Sequence, residues 1–197
     1  MGSPHTPGGD GMDWTFLFGS FEGRISRKTF WIGTIILAVA LIALSFLVLP
    51  LLGLGMMNPA LPDATTGGDA QAIGQQFLDS ASRAGWANLV VVLIFAYPMM
   101  AVMLKRRHDR NSPGWDVYAY IGLLALLSVL QGLGLCFTVA EVNGMLMPTP
   151  TLIGTIVPAI VGLLALYLLV VMGFLKGDSG ANAYGPDPLG GTASATA

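Results

Sequence analysis

Four long apolar runs, separated by short stretches that hold all of the charge, set the pattern of the chain. They cover residues 30–54, 86–104, 117–137 and 152–175, and none contains Asp, Glu, Lys or Arg. A bilayer core about 30 Å thick is crossed by roughly 20 residues of helix, so each run is long enough to span it. Unpaired backbone in hydrocarbon costs several kcal/mol per group, and the alternation of a barrel strand is absent. The pattern therefore predicts an all-α, polytopic membrane protein with four transmembrane helices in two hairpins. Pro50, Pro98 and Pro158 predict kinks within them. Gly154, Pro158 and Gly162 recur every four residues, a face suited to close helix packing or oligomerisation.

Between the runs the pattern is less regular. Residues 1–11 are rich in Gly and Pro, without apolar periodicity, and are expected to be a disordered extension or an expression remnant. The membrane domain is placed at 12–188, followed by a disordered small-residue tail at 189–197. The aromatic stretch 12–21 fits a short interfacial or re-entrant segment. Within 55–85 the first half has loop chemistry. The second half predicts a helix starting near Asp69, with Ile73, Phe77 and Ala81 on one face, lying on the membrane surface or extending the second span.

The charge pattern adds an orientation. Arg24, Arg27 and Lys28 precede the first span, Lys105, Arg106, Arg107 and Arg110 lie between the second and third, and Lys176 follows the fourth. Only Arg83 lies on the other side, so the positive-inside rule predicts both termini in the cytoplasm. Apolar residues make up 54% and charged residues 10%, against roughly 25% charged in soluble domains. A net charge of −2 gives no field for nucleic acid, and no such partner is expected. The single Cys136 can form no internal disulfide and has no companions for a zinc site. No cleavable signal is visible, so the first span is expected to stay in the mature protein. Spans without acidic or basic residues argue against a proton-coupled pump.

Three polar segments carry more pattern than loops require: FEGRISRKTFW at 21–31, KRRHDRNSPGW at 105–115 and GDSGANAYGPDP at 177–188. Together they resemble the bacterial inner-membrane family known as domain of unknown function 805, over nearly the whole chain from Met12. The first segment matches a G-R-x-S-R-x-x-F-W motif through Gly23, Arg24, Ser26, Arg27, Phe30 and Trp31. The second matches R-R-L-H-D-x-G-R-S-G-W-W at His108, Asp109, Gly114 and Trp115, and departs at Arg107, Asn111, Ser112, Pro113 and Asp116. Asn in a glycine position is a mild change, because Asn tolerates the left-handed backbone region. The third is complete, in Gly177, Gly180, Asn182, Tyr184, Gly185, Pro186, Asp187 and Pro188. The resemblance implies the fold and an inner-membrane location, and no activity.

Juxtamembrane basic residues set topology and attract anionic lipid at about 1 kcal/mol each, which is the plain role of Arg24, Arg27, Lys28, Lys105 and Arg106. The sharper expectation is a cytoplasmic cap in which Arg24, Arg27 and Arg106 clamp an anionic head group. Asn182, Tyr184 and Asp187 would pack back on the basic loops to complete it. His108 beside Asp109 has acid–base chemistry but no completing ligand set, and Asp109 is equally suited to pairing with Arg106 or Arg24. The sequence thus gives no catalytic residue, no metal site and no cofactor. It favours a non-enzymatic binding or scaffold protein whose partners are membrane lipids, a second copy of the chain or another membrane protein. A small transporter or lipid-handling protein is the alternative, and a membrane enzyme centred on His108 and Asp109 comes third.

Overall fold

The computed structural model describes residues 13–48, 70–142 and 145–190; the expected extension at 1–11 and nearly all of the expected tail lie outside them, as does Pro50. Helix α1 (Trp14–Gly19) opens on Asp13, whose carboxylate caps the Phe16 N–H at 2.9 Å. Helix α2 (Arg27–Ala43) opens on Ser26, whose hydroxyl accepts from the Thr29 N–H, and runs on into a π-helical turn at Leu44–Val48. Helix α3 (Ala70–His108) is unbroken by Pro98. Helix α4 (Trp115–Gly132) is followed by an antiparallel hairpin, β1 (Phe137–Val142) and β2 (Met145–Pro150). Helix α5 (Leu152–Leu169), capped by Thr151, contains Pro158 and ends in a π-helical turn at Val170–Phe174.

Four of these helices are long and apolar enough to cross a membrane, over Arg27–Leu47, Gln71–His108, Trp115–Gly132 and Leu152–Phe174. Large apolar side chains such as Ile35, Val39, Leu93, Leu163 and Leu166 are exposed, as a chain solvated by lipid requires. At 1.5 Å per residue α3 is about 58 Å long, far beyond the bilayer core. Its first four turns are the helix expected near Asp69, here continuous with the second span. The hairpin packs on this extension: Phe77 meets Phe137 edge to face, and Gly74 leaves room for Val139.

Two elements correct the sequence reading. The third span stops at Gly132, five residues early, because Gly134 takes φ 74° and the N–H groups of Gly134 and Leu135 turn back to Gln131 and Leu130. That is a Schellman stop, with glycine at the left-handed position. The β1–β2 hairpin is the second, an element that the apolar runs alone do not predict between the third and fourth spans. Where α3 crosses α4 the backbones touch: a side chain at Gly85 would stand 2.7 Å from the Gln131 carbonyl carbon, and Gln131 donates to the Ala81 carbonyl. In the Gly154, Pro158 and Gly162 row, only Gly154 is pressed against a neighbour, the Cys136 backbone, while Gly162 faces open space. The core lies at the other end of the bundle, where Leu17, Ile25, Phe30, Val102, Leu104, Val117, Leu168 and Met172 are buried together.

Candidate functional site

The chemistry-bearing residues gather beside this core, at the end of the bundle that carries the basic segments. Asp109 is the hub. It follows the last turn of α3, is 4% exposed, and its Oδ1 accepts from Arg24 Nε at 3.1 Å and Nη2 at 3.0 Å. Its Oδ2 accepts from Arg106 Nη1, one helical turn back. Arg24 also donates to the carbonyls of Asp178 (2.7 Å), Gly180 (2.7 Å) and Gly185 (3.1 Å). A guanidinium has five N–H groups, and all five of Arg24 are engaged. Arg106, 1% exposed, gives Nε to the Met172 carbonyl at 2.8 Å and Nη2 to that of Leu175 at 2.6 Å.

A buried charge needs a counter-charge and satisfied hydrogen bonds. Here two buried arginines face one buried carboxylate, and the end of α5 supplies the rest. A helix leaves its last carbonyls unpaired and carries about half a negative charge there. Five consecutive carbonyls accept side-chain donors: Val171 from Arg110, Met172 from Arg106, Gly173 from Trp31, Phe174 from Arg27 and Leu175 from Arg106. Lys105 does the same for α1. Fully buried, its ammonium donates to the carbonyls of Phe16, Leu17 and Ser20 and lies 4.6 Å from the Phe16 ring centroid.

The C-terminal segment closes over this cluster. The Asp178 N–H donates to the Asp109 carbonyl at 2.8 Å, and Asn182 Nδ2 to that of His108 at 2.9 Å. The Tyr184 ring stacks on His108 at 4.0 Å between centroids and 5° between planes, while His108 Nδ1 faces the Gly23 carbonyl at 3.3 Å. The turn that presents Tyr184 is tied by paired backbone hydrogen bonds between Asn182 and Gly185, whose φ of 134° suits glycine. Asn111, in its glycine position, takes φ 51°.

Of the residues singled out in the sequence, Arg24, Arg106, Asp109, His108, Asn182 and Tyr184 come together. Arg27 lies at the edge, exposed, with one N–H on Phe174. Asp187 makes no hydrogen bond to the basic loops among the described residues: its carboxylate accepts from the Leu189 and Gly180 N–H groups, which hold its pKa below the ordinary value. Lys105, Trp31 and Gly177 were not given these roles. Lys105 and Trp31 act on backbone carbonyls, which leave no mark in a sequence.

The Tyr184–His108 stack yields a prediction. Such pairs are worth about 0.5–1.5 kcal/mol beyond area, so Tyr184→Ala should speed amide exchange across 177–188 roughly two- to tenfold and leave α3 and α5 unchanged. Equal exchange in both proteins would mean that the stack does not hold the cap.

A family model described as "Protein of unknown function (DUF805)" matches residues 18–186. No curated protein and no solved structure matches the chain.

Proposed function

Since the chain belongs to the DUF805 family, whose description assigns no activity, we propose its function from the site: a non-enzymatic protein of the bacterial inner membrane that binds anionic lipid at its cytoplasmic end. Its four spans form two hairpins with both termini inside, as the one-sided distribution of Lys and Arg supports. The observation that carries the reading is the division of labour among the basic residues. Arg24 and Arg106 are sealed against Asp109 and backbone carbonyls, whereas Arg27, Lys28 and Lys176 remain exposed around them. The sealed set fixes a rigid cap, and the outer set presents charge to head groups. The clamps expected of Arg24 and Arg106 thereby pass to Arg27 and its neighbours.

An enzyme has less support, because both Asp109 oxygens are held by guanidiniums and the His108 ring is covered by Tyr184. The lipid-handling alternative is favoured by one feature, an apolar cleft between the spans. Native mass spectrometry of gently extracted protein tests the main reading. Wild type should retain an anionic lipid, and an Asn182→Ala/Tyr184→Ala variant should lose it severalfold. No anionic adduct on wild type sinks the reading, and a membrane protein retained in its place would make the cap a protein-docking face.

A further inference from the structure

One cavity among the described residues lies wholly within the spans. It has a volume of about 270 Å³ and is walled by α2, α3, α4 and α5, with Phe30, Thr34, Ala38, Met99, Met103 and Leu168 among its lining. The lining is apolar apart from Thr34 and Tyr120. Helix α2 packs on α3 and on the final turn of α5 at Val170–Phe174, but makes little contact with the rest of α5. The cavity is therefore a cleft open towards lipid between α2 and α5, and Leu41 and Leu169 at its rim are exposed. Lipid, not water, is the solvent at this depth, so what fills an open apolar cleft is hydrocarbon.

Basic residues lie beyond the end of the cleft that Phe30 and Met172 line, without lining it. Positions 27, 34, 38 and 41 of α2 fall on one helix stripe, so Arg27 lies on the face that lines the cleft, two turns nearer the basic end than Thr34. Arg27 bridges from α2 to the end of α5, where one Nη1 N–H meets the Phe174 carbonyl at 3.2 Å. Among the described residues that leaves four of its five N–H groups without a partner, in a planar fork that fits a phosphate. Lys28 beside it is exposed, and Arg110 is hydrogen-bonded to the same turn of α5.

We propose that this cleft is a binding site for a single anionic phospholipid, with one acyl chain between α2 and α5 and the phosphate held by Arg27 beyond the basic end of the cleft. The proposal rests on the anionic-lipid reading above and names its site. A volume just below the roughly 300–1,000 Å³ of drug-sized pockets suits one narrow chain. Arg27 is available for this role because Arg106 already neutralises Asp109 and caps α5.

The test uses the full chain in phosphatidylcholine vesicles doped with a phosphatidylglycerol carrying a mid-chain diazirine. Irradiation should label Thr34, Ala38 and Met99, read residue by residue from fragment spectra, at least severalfold over the outward-facing Val39 and Leu163. Unlabelled phosphatidylglycerol should suppress that label, and Arg27→Gln should abolish the advantage of phosphatidylglycerol over phosphatidylcholine as competitor. Ala38→Trp should remove the label while the exchange protection of 177–188 persists. Label spread evenly over the lipid-facing surface overturns the site without relying on any variant. An anionic adduct that survives Arg27→Gln and Ala38→Trp but is lost from the Asn182→Ala/Tyr184→Ala variant overturns the cleft and leaves the cap reading to Lys28 and Lys176. No anionic adduct on wild type sinks both.

Discussion

Asp109→Asn is expected to cost about 3–5 kcal/mol of stability in detergent or nanodiscs, the range for breaking a buried pair by removing one partner. The change is nearly isosteric, so the loss is electrostatic. Two guanidiniums, each with side chains about 1% exposed, would keep their positions without a counter-charge. Asn brings an amide N–H₂ where one of the two arginines donates, so one contact becomes donor against donor. The Arg107–Asp116 pair is a natural comparison, at 3.0 Å but with side chains 12% and 19% exposed. Arg107→Ala should cost less, about 1–2 kcal/mol, between the ranges for exposed and for buried pairs. Unfolding of the two variants and wild type, followed in one detergent, decides the matter. Similar stabilities for the two variants would show that Asp109 is not the hub.

This asymmetry bears on what the sequence made legible. Run lengths point to the four helices that are long and apolar enough to cross a membrane, because hydrophobic length is a property of each segment alone. They misplaced the end of the third, since the run stays apolar through Leu133, Leu135, Cys136 and Phe137 while Gly134 turns the backbone. The β1–β2 hairpin has a local signal in the sequence, since Asn-Gly separates the paired residues Val142 and Met145 and that dipeptide favours tight hairpin turns. The cluster was legible in membership but not in use. Arg24 and Asp109 are 85 residues apart, so no spacing rule joins them. Arginine beside a membrane has two ordinary uses, attraction to lipid and neutralisation of a buried acid. Only the geometry separates Arg24 and Arg106 from Arg27. Lys105, expected to set topology, also satisfies three carbonyls around the end of α1, and the acceptors it meets are backbone atoms with no residue identity.

Gly177→Ala is the second large effect expected, because Gly177 lies against the one carboxylate that cannot move aside. A Cβ there would overlap Asp109 Oδ2 and stand 2.5 Å from its Cγ and 3.0 Å from its carbonyl oxygen. A carboxylate held by two arginines has no alternative rotamer that keeps both partners, and the Asp178 N–H on the Asp109 carbonyl ties down the backbone beside it. The methyl must therefore displace the chain after α5, which carries the carbonyls that accept from Arg24. Overpacking of this kind costs about 1–3 kcal/mol and occasionally more, and the upper part of the range is expected here. A double-mutant cycle separates this cause from a generic loss of backbone freedom. If the clash is with the Asp109 side chain, Asp109→Ala removes both the obstacle and the network that the methyl disturbs. Gly177→Ala should then cost at least about 1 kcal/mol less in that background, a coupling within the range for residues in contact. Additivity within about 0.5 kcal/mol would place the strain in the backbone at 177 instead, and would detach the third motif from the ion cluster that it closes.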